Sequence, residues 1–445
     1  MRPYRECWLQ QEHGWVSAAR WTVHHRIVAS LLFLLTLLLV PEAWGAVRYV
    51  AMSGKNNPTC TQAVPCRTIQ YAVDIAGPGD TISIGKGKFL ESFGVIIDKD
   101  LTINGAGIFS TRVFGGWPGY SVFHIQQGAT VTITRLDVMF GHADNGGGIS
   151  NRGHLAMEYV RLWSNSAKIN GGGIYNDADS MLSISKSEIA HNSAGRAGGG
   201  LYNLGIVSLN EVRIVKNDAN IAGGGIQNGD LLIDVGGASN ATIERSEISY
   251  NEPFGIDNAG WMSLINTTVS SNAAVGINDE GGHTVLTHVT VAENGKGPTD
   301  VPSGLRSGLG GTYTSAGEFA LFNTIVANNA TKQCNLGAAS LSATGSLISD
   351  GTCGSFWSDT LTGGTLVGVD PKLGPLKPNG GSTHTHALKS GSPAIDAGFP
   401  GACASVDQRG VLRSIDGNGD GQVNCDIGAF EYVPLKRGLP TDLNQ

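Results

Sequence analysis

The sequence predicts an all-β protein, a right-handed parallel β-helix, from three features: an evenly spaced glycine block, a second repeated asparagine, and short alternating strands. The 445 residues include 64 Gly, and only 15 % of them are charged. Glycine is thus about twice as common as in an average chain, and charge is well below the usual roughly 25 %. This composition disfavours long helices and coiled coils, while 41 % hydrophobic residues suffice for a folded core.

Four glycine blocks establish the repeat. Each block reads Gly-Gly-Gly, an aliphatic residue, a variable residue and Asn, and their last glycines are 25, 27 and 25 residues apart. The full blocks are 146–151, 171–176, 198–203 and 223–228, with degenerate copies at 255–258 and 276–278. The second series comprises Asn165, Asn192, Asn217, Asn251, Asn272, Asn294 and Asn328.

One such unit cannot enclose a core by itself. Stretches such as Met181–Ser185 and Ile206–Asn210 alternate in polarity, so each unit supplies about three short strands. Stacked units of a β-helix place equivalent residues about 4.8 Å apart. We expect the Asn series at turns, where side-chain amides bond to the next coil, and glycines where a Cβ has no room. The expected inward aliphatic column is Ile149, Ile174, Leu201, Ile226, Ile256 and Ile277.

A β-propeller or a β-sandwich is the alternative all-β fold. Propeller blades need about 40 residues or more and carry antiparallel hairpins with tight turns. The period near 25 residues and the missing hairpin signals favour the β-helix.

Residues 1–45 fit a signal peptide. Basic residues precede an apolar run of 14 residues, Ile27 to Val40, and the pattern Ala43-Trp44-Gly45 predicts cleavage before Ala46. The run is short for a membrane span, and an uncleaved anchor is the alternative. We therefore expect an exported protein, extracellular, at the cell surface or outer membrane, or periplasmic, whose mature chain has no membrane-spanning segment.

The exported chain divides into three predicted parts. Residues 46–80 are expected to form an N-terminal cap, 81–350 the β-helix repeats, and 351–445 an irregular, disulfide-containing C-terminal cap. The first part contains a short amphipathic helix with Thr68 as N-cap. Its apolar residues, at helical spacing, are Ile69, Ala72, Val73 and Ala76.

Six cysteines remain after cleavage, an even number that indicates structural disulfides outside the cytoplasm. About fifteen pairings are possible. Proximity in sequence favours Cys60 with Cys66, Cys334 with Cys353, and Cys403 with Cys425. No paired Cys-x-x-Cys motifs indicate zinc or redox chemistry.

The glycine blocks resemble the outer-membrane repeat of polymorphic outer membrane proteins, found in secreted bacterial β-helix proteins. The segments 392–398, 407–410 and 425–431 are similar to the choice-of-anchor Q domain. The resemblance covers nearly all of residues 46–433 and implies a pectin-lyase-like superfold and a secreted or surface location. That superfold serves lyases, hydrolases, epimerases and adhesins, so it does not fix the function.

The charged residues do not form a recognisable catalytic set. A formal charge of −7 gives no general attraction to nucleic acid. Cleavage of a polysaccharide needs carboxylates and bases that converge on one face. The candidates near turns are Asp144, Asp177, Asp179, Asp218, Asp230 and Asp257, with Lys168, Arg196 and Arg213 as bases.

We predict no catalytic residues, and a monomer that presents an elongated surface for adhesion or glycan binding. A polysaccharide lyase, hydrolase or epimerase acting in a sheet-face groove is the alternative.

Two tyrosines are candidate ligand contacts. Tyr175 and Tyr202 occupy the variable position of successive glycine blocks and should face outward on adjacent coils. Their rings could form a platform for a sugar. They could equally form an aromatic ladder that supports the sheet.

The segment 416–421 resembles the start of a calcium loop. Asp416, Asn418 and Asp420 occupy its first, third and fifth positions, with Gly421 at the sixth. The acidic residue expected at position 12 is missing, so a complete EF-hand is not predicted. A partial calcium site completed by Asn424, Asp426 or main-chain carbonyls is one hypothesis, and a glycine-rich turn is the other; no cofactor is required.

Overall fold

Short strands stack in register into a parallel β-helix in the computed structural model of the protein. The structure describes residues 45–230, 239–297, 303–307, 317–337, 339–353 and 360–434. The signal predicted for 1–45 therefore lies outside the described residues, apart from Gly45. Among the described residues, no helix has the length and apolar character needed to span a bilayer.

Each coil contributes a strand to three lateral faces, A, B and C, in that order along the chain. Faces A and B form one large sheet, and face C is a separate ten-stranded sheet. We number the coils 1 to 10 by their face C strands. These are Val95–Ile97, Phe123–Ile125, Ile149–Asn151, Ile174–Asn176, Leu201–Asn203, Ile226–Asn228, Phe254–Asn258, Val275–Asp279, Ser303–Ser307 and Lys332–Asn335.

The strands of face A are Val47–Val50, Thr81–Ile84, Leu101–Gly105, the first halves of Thr130–Met139 and His154–Trp163, Met181–Ser185, Ile206–Asn210, Asn240–Glu244, Trp261–Ile265, His283–Thr287, Glu318–Phe322, Ser340–Thr344 and Thr360–Thr362. Those of face B are Gly87–Glu91, Thr111–Gly115, the second halves of the two long strands, Glu188–Ala190, Arg213–Val215, Glu247–Ser249, Thr268–Ser270, Thr290–Ala292, Ile325–Ala327, Leu347–Ile348 and Leu366–Val367. A small sheet between faces B and C contains His142–Asn145, Ser166–Asn170, Ser193–Ala194 and Asp218–Ala219.

The inward aliphatic column is confirmed. Its six predicted members are successive register partners on face C, and none is measurably exposed. The core is therefore a continuous stack of like side chains rather than a set of separate clusters.

The asparagine series is confirmed with one correction. Asn165 Nδ2 donates to Asn192 Oδ1 at 3.0 Å, and the pattern repeats along the stack to Asn294. Asn294 then donates to Asn329 at 2.9 Å, not to Asn328. The prediction of Asn328 was wrong because that residue makes the preceding left-handed bend, with φ of 58°.

Both predicted reasons for glycine in these blocks, a left-handed backbone and a lack of space for a Cβ, are found in the structure. Gly171 has a φ of 69°, a left-handed conformation that favours glycine. A Cβ on Gly172 would lie 2.3 Å from the carbonyl oxygen of Ser193. The coils approach too closely there for any side chain.

The N-terminal cap contains the predicted helix, Ile69–Ile75, whose first turn is capped by Thr68 Oγ1. All three predicted disulfides, 60–66, 334–353 and 403–425, are formed. The strand Val47–Val50 pairs with Thr81–Ile84, so the cap is continuous with the first coil.

The repeat region extends beyond the predicted boundary at residue 350. Thr360–Thr362 pairs with face A and Leu366–Val367 with face B, so the stack continues to Val367. These last strands lack the glycine and asparagine markers on which the boundary was based.

The irregular, disulfide-containing C-terminal cap lies along face B. It includes the hairpin strands Leu373–Lys377 and Thr385–Leu388 and the 3-10 turn Pro400–Ala402. Thr268 Oγ1 donates to Gln408 Oε1 at 2.6 Å, and Arg413 donates to Asn266 Oδ1 at 2.9 Å. Small side chains make room for this layer at successive outward positions of face B: Ser249, Ser270, Ala292 and Ala327.

Candidate functional site

Each face C strand contributes one residue, directly after an inward residue, to an outward column along the β-helix. Neighbours in the column are register partners on adjacent coils, about 4.8 Å apart. From coil 1 to coil 10 the column reads Ile96, His124, Ser150, Tyr175, Tyr202, Gln227, Asp257, Asn278, Arg306 and Asn335. Tyr175 and Tyr202 lie near the middle of the column, and from coil 6 onward every member is an amide or a charged residue.

A pocket of about 410 Å³ opens on the first half of this column. Its floor includes His124, Ser150 and Tyr175, and one wall carries Phe93 and Tyr120. The pocket thus joins residues from coils 1 to 4.

Phe93 and Tyr120 form that wall, and Trp117 extends it outside the pocket; none of the three exposed aromatic residues was a candidate in the sequence. Phe93 and Trp117 are 62 % and 61 % exposed, and their rings stack with centroids 6.4 Å apart. Tyr120 meets Phe93 edge-on at 5.5 Å. The main-chain N–H of Trp117 donates to Ser92 at 2.9 Å, which fixes the loop. These residues lie outside the repeat, so only the rare Trp in a Gly-Pro-rich loop signals them.

The two predicted tyrosines differ in accessibility. Tyr175 and Tyr202 stack with centroids 5.5 Å apart and planes at 6°. Tyr202 is 1 % exposed and packs against Ala197 and Ala222, so its ring belongs to an aromatic ladder. Tyr175 is half-buried and lines the pocket; burial and the nearby Asp177 raise its pKa to about 12. Only Tyr175 can contact a ligand in this conformation.

The floor of the pocket carries little net charge. Burial and the neighbouring Arg152 lower the pKa of His124, so its imidazole is neutral at pH 7. Arg152 itself lies 3.2 Å from the carboxylate of Asp177. The floor therefore offers neutral hydrogen-bonding groups beside the ion pair of Arg152 and Asp177, whose charges cancel.

Half of the acidic candidates from the sequence, Asp144, Asp177 and Asp230, form ion pairs with basic neighbours. Asp144 pairs with Lys168 at 2.9 Å, and Asp230 pairs with Arg196 at 2.9 Å. Arg213 lies between Glu188 and Glu247. These contacts join neighbouring coils and do not form a convergent catalytic group.

Asp218 lies on the small sheet and Asp179 in a turn. Burial raises the pKa of Asp218, although its carboxylate lies at an exposed position of the small sheet. Asp179 occupies an exposed turn, with φ of 61°.

Asp257 is different because it lies in the outward column and is fully buried. Burial raises its pKa well above the ordinary range, and the charges of Glu280 and Asp279 add to this effect. Asn278 Nδ2 donates to Asp257 Oδ1 at 2.9 Å.

The side-chain oxygens of the predicted calcium loop accept hydrogen bonds from main-chain N–H groups. Asp416 accepts from the N–H groups of Gly419 and Gly421, and Asn418 Oδ1 accepts from Asp420. Asp420 Oδ1 accepts in turn from Gln422. These contacts build a glycine-rich turn.

Asp426 does not join that turn directly. It is fully buried and accepts from the N–H groups of Asp396 and Tyr432. Within the described part of the chain, the one cluster of three His, Cys, Asp or Glu ligand atoms is His288, Cys403 and Cys425. The two cysteines form a disulfide, so they are not thiolate ligands.

Comparisons with known proteins bear on the fold. The sequence matches no protein-family model, and no curated protein is significantly similar to it. Among solved structures, pectate lyase Pel9A matches with a TM-score of 0.38 at 12 % identity, over 87 % of this chain and 96 % of that one. The A-module of the Azotobacter vinelandii mannuronan C-5 epimerase AlgE4 matches with a TM-score of 0.42 at 14 % identity, over 67 % and 92 %. The complex of XylC with xylose matches with a TM-score of 0.40 at 9 % identity, over 87 % and 98 %.

Proposed function

We propose that the protein is an exported, non-catalytic binding protein that holds a polysaccharide or cell-surface glycan against face C. One observation carries this proposal: an exposed aromatic wall of Phe93, Trp117 and Tyr120 stands beside a floor of hydrogen-bonding side chains.

The two surfaces suit the two faces of a sugar. An exposed aromatic ring covers apolar C–H groups, and a few fixed polar groups orient hydroxyls. The phenol of Tyr175, the imidazole of His124 and the hydroxyl of Ser150 provide such groups. Neutral His124 can both donate and accept a hydrogen bond, which suits a neutral hydroxyl.

The direction of the column supports a chain-like ligand. The pocket joins coils 1 to 4 of face C. A polymer that crosses coils 1 to 4 gains contacts from successive coils, whereas the column members on coils 5 to 8 are buried. Such a surface suits adhesion to a glycan at the cell surface or outside the cell, and the three disulfides support export.

Binding is tested by titrating the full chain with a panel of neutral and acidic polysaccharides in affinity electrophoresis and calorimetry. Trp117→Ala should weaken binding about tenfold or more, because a buried ring contact contributes on the order of 1.5–3 kcal/mol. Trp261→Ala is the matched control: Trp261 is 50 % exposed on face A and stacks on His283, away from the pocket. Equal losses in both variants would contradict a site at the aromatic wall.

The enzymatic alternative is tested with the same panel. We expect neither unsaturated products nor new reducing ends over prolonged incubation. Turnover of any polysaccharide would refute the non-catalytic part of the proposal, while the Trp117→Ala result would still decide the binding site.

A further inference from the structure

Three buried side-chain oxygens on neighbouring coils of face C have no hydrogen-bond partner. They are Gln227 Oε1, Asp257 Oδ2 and Asn278 Oδ1. Their residues are consecutive members of the outward column, on coils 6, 7 and 8, and all three are fully buried. Because adjacent parallel strands lie about 4.8 Å apart, these side chains are direct neighbours.

The orientations of the two amides are fixed by their nitrogens. Gln227 Nε2 donates to the carbonyl oxygen of Gly229 at 3.2 Å. Asn278 Nδ2 donates both to Asp257 Oδ1 at 2.9 Å and to Glu280 Oε1 at 3.0 Å. Turning either amide would break these bonds, so both oxygens remain acceptors without a donor. Buried acceptors without partners are rare because each lowers stability, and three neighbouring ones call for a bound group.

The surroundings of the three oxygens are acidic. Glu280 shares the Asn278 amide with Asp257, and buried Asp279 accepts from Thr284 one strand further on. The column also contains Arg306 on coil 9, whose guanidinium lies over the Phe254 ring at 5.7 Å. A cation near the three oxygens would offset this concentration of carboxylates.

We propose that Gln227 Oε1, Asp257 Oδ2 and Asn278 Oδ1 bind a hard cation, with calcium as the best-fitting ion, which joins coils 6, 7 and 8. Hard cations select oxygen ligands, and calcium accepts carboxylate and amide oxygens together. Calcium takes about six to eight ligands, so main-chain carbonyls or water complete the set. This site is separate from the loop 416–421 and does not depend on glycan binding.

A protonated Asp257 is the competing explanation. Its proton could satisfy one amide oxygen, either that of Gln227 or that of Asn278. The other makes no hydrogen bond in this conformation, and the hydroxyl of Tyr202, the neighbour of Gln227 on coil 5, makes none either. A cation accounts for all three oxygens at once.

Thermal unfolding of the full chain distinguishes the two explanations. After dialysis against EDTA, millimolar calcium chloride should raise the Tm of the wild type by about 3 °C or more. Asp257→Asn should abolish this shift, and Asp420→Asn, in the exposed loop, should retain it. Metal analysis should find one bound calcium per chain in the wild type and none in Asp257→Asn. No calcium shift in the wild type, or a shift lost only in Asp420→Asn, would overturn the proposal.

A second variant covers the case in which Asp257→Asn does not fold. Asn278→Asp adds a carboxylate ligand, so the Tm difference between calcium and EDTA should widen relative to the wild type. If Asp257 instead shares a proton, the extra carboxylate destabilises the protein equally in calcium and in EDTA, and the cation site is refuted.

Discussion

The main-chain N–H of His384 donates to the buried carboxylate of Glu247 at 3.1 Å, and so ties the C-terminal cap to face B across 137 residues. Arg213 Nε donates to the same oxygen at 2.8 Å, and Ser249 Oγ donates to the other at 2.6 Å. Burial alone would raise the pKa of Glu247, but hydrogen bonds from the side chains of His384, whose Nδ1 lies 3.4 Å from Oε1, and of Arg213 outweigh it and lower the pKa to about 2.

Glu247→Gln should loosen the cap in a pH-dependent way. Since the folded pKa lies below the unfolded value of 4.5, the ionised carboxylate stabilises the protein above that pH, and the contribution disappears as pH falls toward 2. At pH 7 we expect a loss on the order of 2–3 kcal/mol. Circular dichroism melts of variant and wild type should converge in acid. A Tm gap that is constant with pH would contradict this role.

Asp426 should show the opposite pH dependence. Burial and the adjacent charge of Glu431 raise its pKa to about 7, above the unfolded value of 3.8. Between these two pH values the unfolded chain loses the Asp426 proton while the folded protein keeps it, so folding becomes less favourable as pH rises. The Tm of Asp426→Asn minus that of the wild type should become several degrees more positive from pH 5 to pH 8. A difference that does not change with pH would count against this assignment.

The asparagine ladder should be sensitive to one deletion. Asn217 Nδ2 donates to Ile189 at 2.9 Å and to Asn251 at 3.1 Å, and its Oδ1 accepts from Asn192. Asn217→Ala leaves buried partners unpaired on both sides, so we expect a loss of about 2–4 kcal/mol in urea unfolding. Asn220→Ala, at an exposed position, is the control and should cost less than about 1 kcal/mol. Similar losses in the two variants would show that the ladder contributes little.

Close approach of the coils should make Gly172 irreplaceable. A Cβ at this position would lie 2.3 Å from the carbonyl oxygen of Ser193 and 2.6 Å from that of Gly199. Neither oxygen can move without displacing a coil. Gly172→Ala should lower the free energy of unfolding by about 3 kcal/mol or more. Gly351→Ala, where a Cβ meets nothing within 4 Å, is the matched control. Wild-type stability of Gly172→Ala would disprove the packing argument.

The candidate site was predictable only where it follows the repeat. Tyr175 was identified because the glycine block fixes which residue faces outward. Phe93 and Trp117 lie in loops between repeats, so no period relates them to each other. Asp257 was recognised as an acidic candidate, but its burial and its unpaired oxygen depend on packing that the sequence does not express.

The sequence by itself determined the stack: its period, its aliphatic column, its glycine contacts and its disulfides. These features are local, since each coil repeats the same inward, outward and turn positions, and cysteines close in sequence are close in space. Only the tertiary structure decided that the C-terminal cap lies along face B and that three aromatic side chains gather beside the outward column. Both depend on contacts between segments far apart in the chain, such as Arg413 with Asn266, where no repeat constrains the pairing and side-chain packing alone selects the partner.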